Sequence, residues 1–154
     1  MKLNLGCGSD YREGWTNLDK GVCRKDIDHD LETLPLPFDD DSVVRIEMNH
    51  VFEHLPRSNL VPFMKELHRI CRGDGSIYIV CPYYLSQNAF ADFTHQNFMS
   101  EKSFDYFDPS KSLRREGKIY GIDFEFRVEA TLNADRMHPD VSIYYLLIPI
   151  KPGQ

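Results

Sequence analysis

The sequence lacks an apolar run long enough to span a bilayer, since a membrane helix needs about 18 such residues. It also lacks an N-terminal apolar segment with a small-residue cleavage site, so we expect no signal peptide and a cytoplasmic location. The cysteines show no C-x-x-C spacing, which argues against a zinc ribbon or a thioredoxin-type motif. A G-x-x-x-x-G-K-[ST] loop is missing as well, which argues against an NTPase.

Basic residues are too few and too scattered to form an obvious surface for nucleic acid. The formal charge is −6, and the basic pairs, Arg24-Lys25 and Arg114-Arg115, are small and far apart in the sequence. Nucleic-acid-binding domains usually carry a basic patch or stripe, so RNA is disfavoured as a partner. Hydrophobic residues make up 42 % of the chain, which is enough for the core of a single domain over residues 1–154.

The hydrophobic pattern predicts short strands and one long helix. Apolar residues recur at helical spacing from Pro56 to Arg72 and leave one face to be buried. Gly73-Asp74-Gly75 is expected to end this helix as a C-cap and turn. The β-rich run Ser76–Cys81 is typical of a central parallel strand that is covered on both faces. Earlier strands are predicted at Lys2–Leu5, Trp15–Leu18, Ile27–Leu31 and Val43–Met48.

The order strand, helix, glycine turn, strand is a βαβ unit, which implies a right-handed crossover in a parallel sheet. Residues 83–118 are irregular and aromatic, with one short helix expected at Ser100–Phe107. Two final runs, Phe124–Leu132 and Val141–Ile150, are expected to form an antiparallel hairpin. The polar turn between them contains Asn133, Asp135, His138, Pro139 and Asp140. The predicted class is therefore α/β, with a mostly parallel sheet and an antiparallel C-terminal hairpin.

A glycine turn, Gly6-Cys7-Gly8, follows the first strand. Glycine lets the backbone turn sharply and lets a ligand approach without a Cβ in the way. Open α/β sheets bind ligands at the carboxyl ends of their strands, and the second strand ends there in a carboxylate, Asp19. A carboxylate can accept hydrogen bonds from both hydroxyls of a ribose. These features favour an adenosine derivative as the ligand.

The glycine turn lacks what a dinucleotide site needs to hold pyrophosphate. A third glycine and a following helix N-terminus are missing. Residues 9–14 are acidic and too short for a full helix, and Asp10 would lie inside any phosphate cradle formed there. An adenosine ligand with an amino-acid tail and no phosphate fits better.

Taken in order, motifs from residue 3 to about residue 83 resemble class I S-adenosylmethionine-dependent methyltransferases. More narrowly, they resemble the compact type-11-like proteins often encoded beside glycosyltransferases. The matching segments are Leu3-Asn4-Leu5-Gly6-Cys7-Gly8, Gly14-Trp15-Thr16-Asn17-Leu18-Asp19, His29-Asp30-Leu31, Leu36-Pro37-Phe38-Asp39-Asp40-Asp41-Ser42-Val43, His50-Val51-Phe52-Glu53-His54-Leu55 and Arg72-Gly73-Asp74-Gly75. The resemblance implies a Rossmann-like methyltransferase fold with S-adenosylmethionine as cofactor.

The chain departs from the family in a first helix reduced to a turn and in lacking N-terminal covering helices. A homodimer or a partner subunit is one way to cover the pocket.

The resemblance also implies which residues contact the cofactor. Gly6 and Gly8 would face the methionine part of the cofactor, and Asp19 would hold its ribose. Asp30 and Leu31 would lie beside the adenine, and Asn49 and His50 would flank the sulfonium side. Together with the residue between the glycines, this set is Gly6, Cys7, Gly8, Asp19, Asp30, Leu31, Asn49 and His50.

The segment Asp92-Phe93-Thr94-His95 resembles the Asp-Pro-Thr-His that many such proteins carry after the fifth strand. His95 is the candidate general base, with Asp92 orienting it. The alternative is that these residues only hold the loop and cap the following helix. His50 and His54 have a spacing that can bind metal, but the metalloprotease pattern begins with His-Glu, so no metal site is expected.

The leading hypothesis is an enzyme that transfers a methyl group in line to a small molecule or a saccharide. The ordered motifs and the lack of a basic surface favour it. Two alternatives stay open. One is a cofactor-binding or interaction module that a partner completes and that has no catalysis of its own. The other is an RNA or protein methyltransferase.

Overall fold

The strands lie in one sheet in a computed structural model, which describes residues 1–134 and 140–153. They are β1 (Lys2–Leu5), β2 (Thr16–Asp19), β3 (Ile27–Asp28), β4 (Val43–Asn49), β5 (Cys71–Pro82), β6 (Glu125–Leu132) and β7 (Ser142–Ile150). Their order in the sheet is β3-β2-β1-β4-β5-β7-β6. Strands β1 to β5 run parallel, and β7 is antiparallel to both β5 and β6. The predicted mostly parallel sheet with an antiparallel hairpin is confirmed. Asp135, His138 and Pro139 of the predicted turn lie outside the described residues.

The helices are α1 (Leu60–Ile70), α2 (Asn88–Ala91) and α3 (Arg114–Ile119). Helix α1 is shorter than predicted, because the preceding residues form a separate 3-10 turn at Arg57–Asn59. The helix expected at Ser100–Phe107 is only a 3-10 turn at Asp105–Phe107. No helix among the described residues is long and apolar enough to cross a membrane.

The core lies against one face of the sheet. The strand registers place Leu3, Ile46, Ile77 and Leu147 side by side, and all four are fully buried. On the opposite face, Tyr78 and its cross-strand partners Glu47 and Leu146 are only half-buried. The prediction that Ser76–Cys81 is covered on both faces is therefore wrong. The physical reason is that α1 and the aromatic residues near Phe104 pack on the same face.

Gly73 and Gly75 do not form the predicted helix C-cap. Helix α1 ends at Ile70, and its C-cap is Cys71, whose φ and ψ of −80° and 133° already belong to strand β5. The next residues bulge out of that strand, since Val43 is paired with Cys71 and Arg45 with Ser76. A Cβ on Gly75 would lie 3.0 Å from the Val44 carbonyl oxygen, so the bulge packs tightly against β4.

The expected reduction of the first helix to a turn is confirmed, and buried amides hold that turn. The Asn4 side chain donates to the Asp10 carbonyl at 2.6 Å and to Oδ1 of Asn17 at 3.0 Å. The same Asn17 oxygen accepts the Arg12 backbone N–H at 2.9 Å. Both amides are at most 1 % exposed. Side-chain hydrogen bonds therefore satisfy the backbone groups that a helix would otherwise pair.

Candidate functional site

A cavity of about 270 Å³ lies at the carboxyl edge of β1, β2 and β4. Chain order reverses at β1, whose neighbours in the sheet are β2 and β4, and open α/β sheets bind ligands at such a switch point. The volume is close to the lower bound of about 300 Å³ that is typical of small-molecule sites. The lining residues are Gly6, Asp19, Lys20, His29, Asp30, Leu31, Glu32, His50, Val51, His54 and Leu55.

Gly6 forms part of one wall of the cavity with its backbone, whereas Cys7 and Gly8 are not among the described residues that line it. Gly6 has a φ of +67° and Gly8 a φ of +47°, a region that other residues rarely adopt. The N–H of Gly6 donates to the Leu18 carbonyl at 2.8 Å, which fixes the turn to β2. A Cβ on Gly6 would lie 2.5 Å from Cγ2 of Val51, a residue that also lines the cavity. A side chain at position 6 would therefore displace the opposite wall.

The carboxylate of Asp19 joins the tip of β2 to the glycine turn. Its Oδ2 accepts the Gly8 N–H at 2.8 Å, and its Oδ1 accepts the Gly21 N–H at 2.6 Å. Each carboxylate oxygen has a second lone pair, and Asp19 lines the cavity, so both oxygens can still accept from a diol. These bonds fix the orientation of the carboxylate at the cavity wall.

The far end of the cavity carries charged residues beside Leu31. The Lys20 ammonium lies 3.1 Å from Asp30 and 3.3 Å from Glu32. The Glu32 backbone N–H and then Lys20 lower the pKa of Asp30. Asp30 and Leu31 both line the cavity, and so do Lys20 and Glu32, which sequence reasoning missed. Lys20 follows Asp19 in the sequence and Glu32 follows Leu31, and this closeness to predicted site residues could have indicated that they line the cavity.

His50 and Asn49 separate at the end of β4. His50 has a φ of +54° and lines the cavity, and Nδ1 lies 3.2 Å from Oε1 of Glu53, which raises the pKa of His50. Asn49 is exposed and is not among the described residues that line the cavity. The structure places only His50 of this pair at the cavity wall.

Cys7 lies in the turn, but its thiol points into the protein. The side chain is 3 % exposed, and Sγ lies 3.7 Å from the Arg24 carbonyl oxygen. Burial, followed by the neighbouring Cys23, raises the pKa of Cys7 to about 11. Cys7 is not among the described residues that line the cavity, and its side chain is buried.

We expect thiol alkylation to select Cys23. Burial raises the pKa of Cys71 to about 12 and that of Cys81 as well, and both are fully buried like Cys7, whereas Cys23 is partly exposed. With iodoacetamide at about pH 8, mass spectrometry should show one fast adduct, because thiolates are the reactive species. The adduct should disappear in Cys23→Ser and persist in Cys71→Ser. Fast labelling of Cys7 in the folded protein would contradict this arrangement.

The two candidate catalytic residues do not bond to each other through their side chains. The Asp92 carboxylate accepts from Thr94, at 2.8 Å from its N–H and at 2.7 Å from its hydroxyl. Nδ1 of His95 instead donates to the Ala89 carbonyl at 3.0 Å. The His95 backbone N–H donates to the Asp92 carbonyl at 3.2 Å, but Thr94 occupies the carboxylate, so orientation of His95 by Asp92 stays a prediction. Through Thr94, whose Oγ1 lies 2.9 Å from Nδ1 of His54, the Asp92 carboxylate is linked to His54.

Sequence reasoning missed Glu53, which lies beneath this cluster. It is 1 % exposed, and its backbone carbonyl accepts the N–H groups of Gln96 and Asn97, at 2.8 and 3.1 Å. These bonds tie the 3-10 turn Phe52–His54 to the loop that carries His95. The ring centroids of His54 and His95 consequently lie 4.7 Å apart, edge to face.

Solved structures show that the fold is shared. A complex between the Haloferax volcanii Trm112 methyltransferase activator and a methyltransferase matches with a TM-score of 0.61 and 15 % identity, over 97 % of this chain and 82 % of that one. A SAM-dependent methyltransferase from Archaeoglobus fulgidus matches with a TM-score of 0.65 and 13 % identity, over 94 % and 84 %. Haemonchus contortus phosphoethanolamine N-methyltransferase 1, solved with phosphoethanolamine and S-adenosylhomocysteine, has a TM-score of 0.62 and 13 % identity, over 99 % and 40 %. These likenesses confirm the predicted Rossmann-like methyltransferase fold.

Sequence comparison identifies the family. No curated protein matches the chain significantly in sequence. A family described as a methyltransferase domain, type 11, matches residues 3–79, which is half of the chain. That range contains every residue that lines the cavity. The backbone wall at Gly6, the carboxylate of Asp19 and the cavity between them fit the cofactor of this family. The chain therefore belongs to the type 11 methyltransferase domain family, and it is an S-adenosylmethionine-dependent methyltransferase.

Proposed function

We propose that the chain, acting as a single domain over residues 1–154, methylates a small molecule or a saccharide. The observation that carries the proposal is a cluster of exposed aromatic rings beside polar groups on the loop after β5. Phe90 and Phe98 stack with their centroids 4.7 Å apart and are 66 % and 42 % exposed. His95 lies between them in the sequence and bonds to Ala89. Aromatic faces next to hydrogen-bonding groups suit an acceptor with a ring and hydroxyls.

The cofactor-binding roles support this arrangement. Gly6 and Gly8 are proposed to face the methionine part, with Cys7 contributing only its backbone. Asp19 is proposed to hold the ribose, and Asp30 and Leu31 to lie beside the adenine. When bound, S-adenosylmethionine supplies an electrophilic methyl group, and the protein's part is to hold the acceptor in line with it.

The sulfonium side is proposed to lie near His50 and Asn49, with the acceptor beyond it. His54 lines the cofactor cavity and contacts the ring of His95, so these two histidines lead from the cofactor toward the aromatic loop. We retain His95 as the group that faces the acceptor. Asp92 acts on His54 through Thr94 in this arrangement.

An acidic surface supports a small acceptor over RNA. The net charge is −6, and the cavity lining has three carboxylates, those of Asp19, Asp30 and Glu32, against the single ammonium of Lys20. Phosphates would be repelled there. The narrower resemblance to proteins encoded beside glycosyltransferases stays a prediction, and it agrees with a saccharide acceptor.

Replacing Phe90 by alanine should raise the KM for the acceptor about tenfold, because the loss of a stacked aromatic contact costs about 0.5–1.5 kcal/mol beyond area burial. The affinity for S-adenosylmethionine should stay unchanged, since Phe90 does not line the cofactor cavity. Tyr144→Ala, at a residue that is 43 % exposed on β7, is the matched aromatic control and should change neither quantity. An unchanged KM in Phe90→Ala would count against the acceptor surface.

The assay that tests the proposal uses radiolabelled S-adenosylmethionine with panels of sugars, small metabolites, total RNA and proteins. Transfer of label to a sugar or small metabolite is expected. Transfer to RNA alone, weakened steeply by salt, would instead support an RNA methyltransferase. Transfer to protein alone would also overturn the proposal.

A partner-completed module is the second candidate, and the likeness to a Trm112 complex favours it. Val22 and Phe93, which are close in sequence to Asp19 and His95, are almost fully exposed apolar side chains, and this agrees with cover from a second copy or another subunit. Robust methyl transfer by the purified monomer would count against this candidate. Activity that appears only with a partner or at dimer-forming concentrations would favour it.

A further inference from the structure

Glu53, His54 and His95 bring three metal-ligating groups together at the border of the cofactor cavity. One carboxylate oxygen and one ring nitrogen from each histidine all lie within 4.8 Å of one another. A zinc ion with bonds of about 2.1 Å would hold such atoms roughly 3.4 Å apart, so a small closure completes the site. Two chain segments supply the ligands, the 3-10 turn Phe52–His54 and the loop after β5.

One oxygen of the buried Glu53 carboxylate has no N–H or O–H partner among the described residues. Oε1 of Glu53 lies 3.2 Å from Nδ1 of His50. Oε2 is buried and has no hydrogen-bond partner among the described residues by distance and angle. The thiol of Cys81 is the donor close to this carboxylate, but a thiol donates only weakly, and burial followed by the Glu53 charge raises the pKa of Cys81. Leaving a carboxylate oxygen buried and unpaired is costly, so the orphaned atom indicates a missing ligand.

In both histidines Nδ1 carries the hydrogen, so Nε2 has a lone pair that can bind a metal ion. The Thr94 hydroxyl donates its single hydrogen to Asp92, so the Thr94 oxygen accepts a hydrogen bond from Nδ1–H of His54. The Ala89 carbonyl can only accept, so Nδ1 of His95 donates to it. Metal-binding histidines are oriented in this way, by a hydrogen bond from the ring nitrogen that does not bind the metal.

We propose that Glu53, His54 and His95 form a binding site for a divalent transition-metal cation, with zinc as the best match. Two histidines and one carboxylate are a common zinc set that leaves a coordination position open. The proposal reverses the sequence expectation, which considered only His50 with His54 and could not foresee a ligand from a distant loop.

A role for the cation follows from where it would bind. His54 lines the cofactor cavity, so the open position would face the acceptor side of the sulfonium. There the cation would bind an acceptor oxygen, and His95 would act on the acceptor through the metal rather than as a general base. This role rests on the proposed function, whereas cation binding itself does not.

A second cluster, Cys7, Asp19 and Cys23, has similar spacing but weaker grounds. Both oxygens of Asp19 accept backbone N–H groups, and the raised pKa of Cys7 disfavours the thiolate that a metal needs. The experiment must therefore distinguish metal binding at this cysteine cluster from metal binding at Glu53, His54 and His95.

The test measures binding of Zn²⁺ alone and Co²⁺ alone to chelator-treated protein, without cofactor or acceptor. One equivalent of Zn²⁺ should bind at micromolar concentration or below, and affinity should fall about a hundredfold in His95→Gln and in Glu53→Gln. His95 is on a partly exposed loop, so its variant is expected to fold even where the buried Glu53 variant does not. His68→Gln is the matched control and should bind as the wild type does.

Three results would overturn the metal site. These are no binding of Zn²⁺, binding undiminished in His95→Gln, or a thiolate-to-cobalt absorption band that places Co²⁺ at the cysteines. Each leaves the methyl-transfer assay unaffected, so failure of this site and failure of the proposed function are distinguishable.

Discussion

Replacing Gly6 by alanine is expected to weaken S-adenosylmethionine binding by about a thousandfold. The φ of +67° costs a residue with a Cβ about 1–2 kcal/mol, and overpacking costs about 1–3 kcal/mol. The added Cβ would lie 2.5 Å from Cγ2 and 2.8 Å from Cγ1 of Val51, on the opposite wall of the cavity. Relief of that contact requires the turn or the wall to move, and either change alters the cofactor site. Isothermal titration calorimetry measures the loss.

Gly14 provides a matched control for this variant. Its φ is +76°, but a Cβ there would meet no atom within 4 Å. Gly14→Ala therefore has the same type of backbone strain without the clash, and its cofactor affinity should change only a few-fold. Adding Val51→Ala to Gly6→Ala should restore part of the lost affinity, since both clashing methyl groups are removed. Wild-type affinity in Gly6→Ala would show that the cofactor does not depend on this wall.

Replacing Asp19 by asparagine is expected to lower cofactor affinity about a hundredfold. Asparagine keeps the shape but has one acceptor oxygen, so either the Gly8 or the Gly21 N–H faces an NH₂ group. The ribose would also lose hydrogen bonds to a charged acceptor, each worth about 1.5–3 kcal/mol. The variant thus loosens the glycine turn and removes the diol contact together.

Asp28→Asn is the control for charge. Asp28 pairs with Asp19 in the register of β2 and β3, but it is exposed and lies outside the residues that line the cavity. Its loss removes a neighbouring negative charge without touching the glycine turn, so affinity should stay within about twofold of the wild type. Equal losses in the two variants would mean that general charge, and not the Asp19 carboxylate, governs binding.

The elements that the sequence predicts well are those with strong local signals. Strand β1 is confirmed residue for residue, and β4 differs from its prediction by only one residue. The hairpin of β6 and β7 follows from two long runs of β-forming residues. These segments carry their own hydrophobic pattern, so tertiary context changes them little.

Other features depend on distant contacts that the sequence does not display. Gly73-Asp74-Gly75 looks like a turn, yet pairing with β4 turns it into a bulge within β5. Helix α3 was not predicted, and it depends on buried Arg114, which bonds to Glu125 on β6. Strand β5 is covered on only one face, because the helices pack on that face of the sheet.

The site divides in the same way. Gly6 and Asp19 carry motif signals, and the structure brings them together. The pairing of Asp92 with Thr94, and of Thr94 with His54, joins two loops that no spacing rule connects. Glu53 was passed over because its burial, which makes it informative, is a tertiary property.

The central claim is that the cleft between β1, β2 and β4 holds a phosphate-free adenosine cofactor. The most direct measurement is calorimetric titration of the wild-type chain with S-adenosylhomocysteine and, separately, with NAD. We predict one site per chain for S-adenosylhomocysteine and no measurable binding of NAD. Binding of NAD without binding of S-adenosylhomocysteine would contradict the claim.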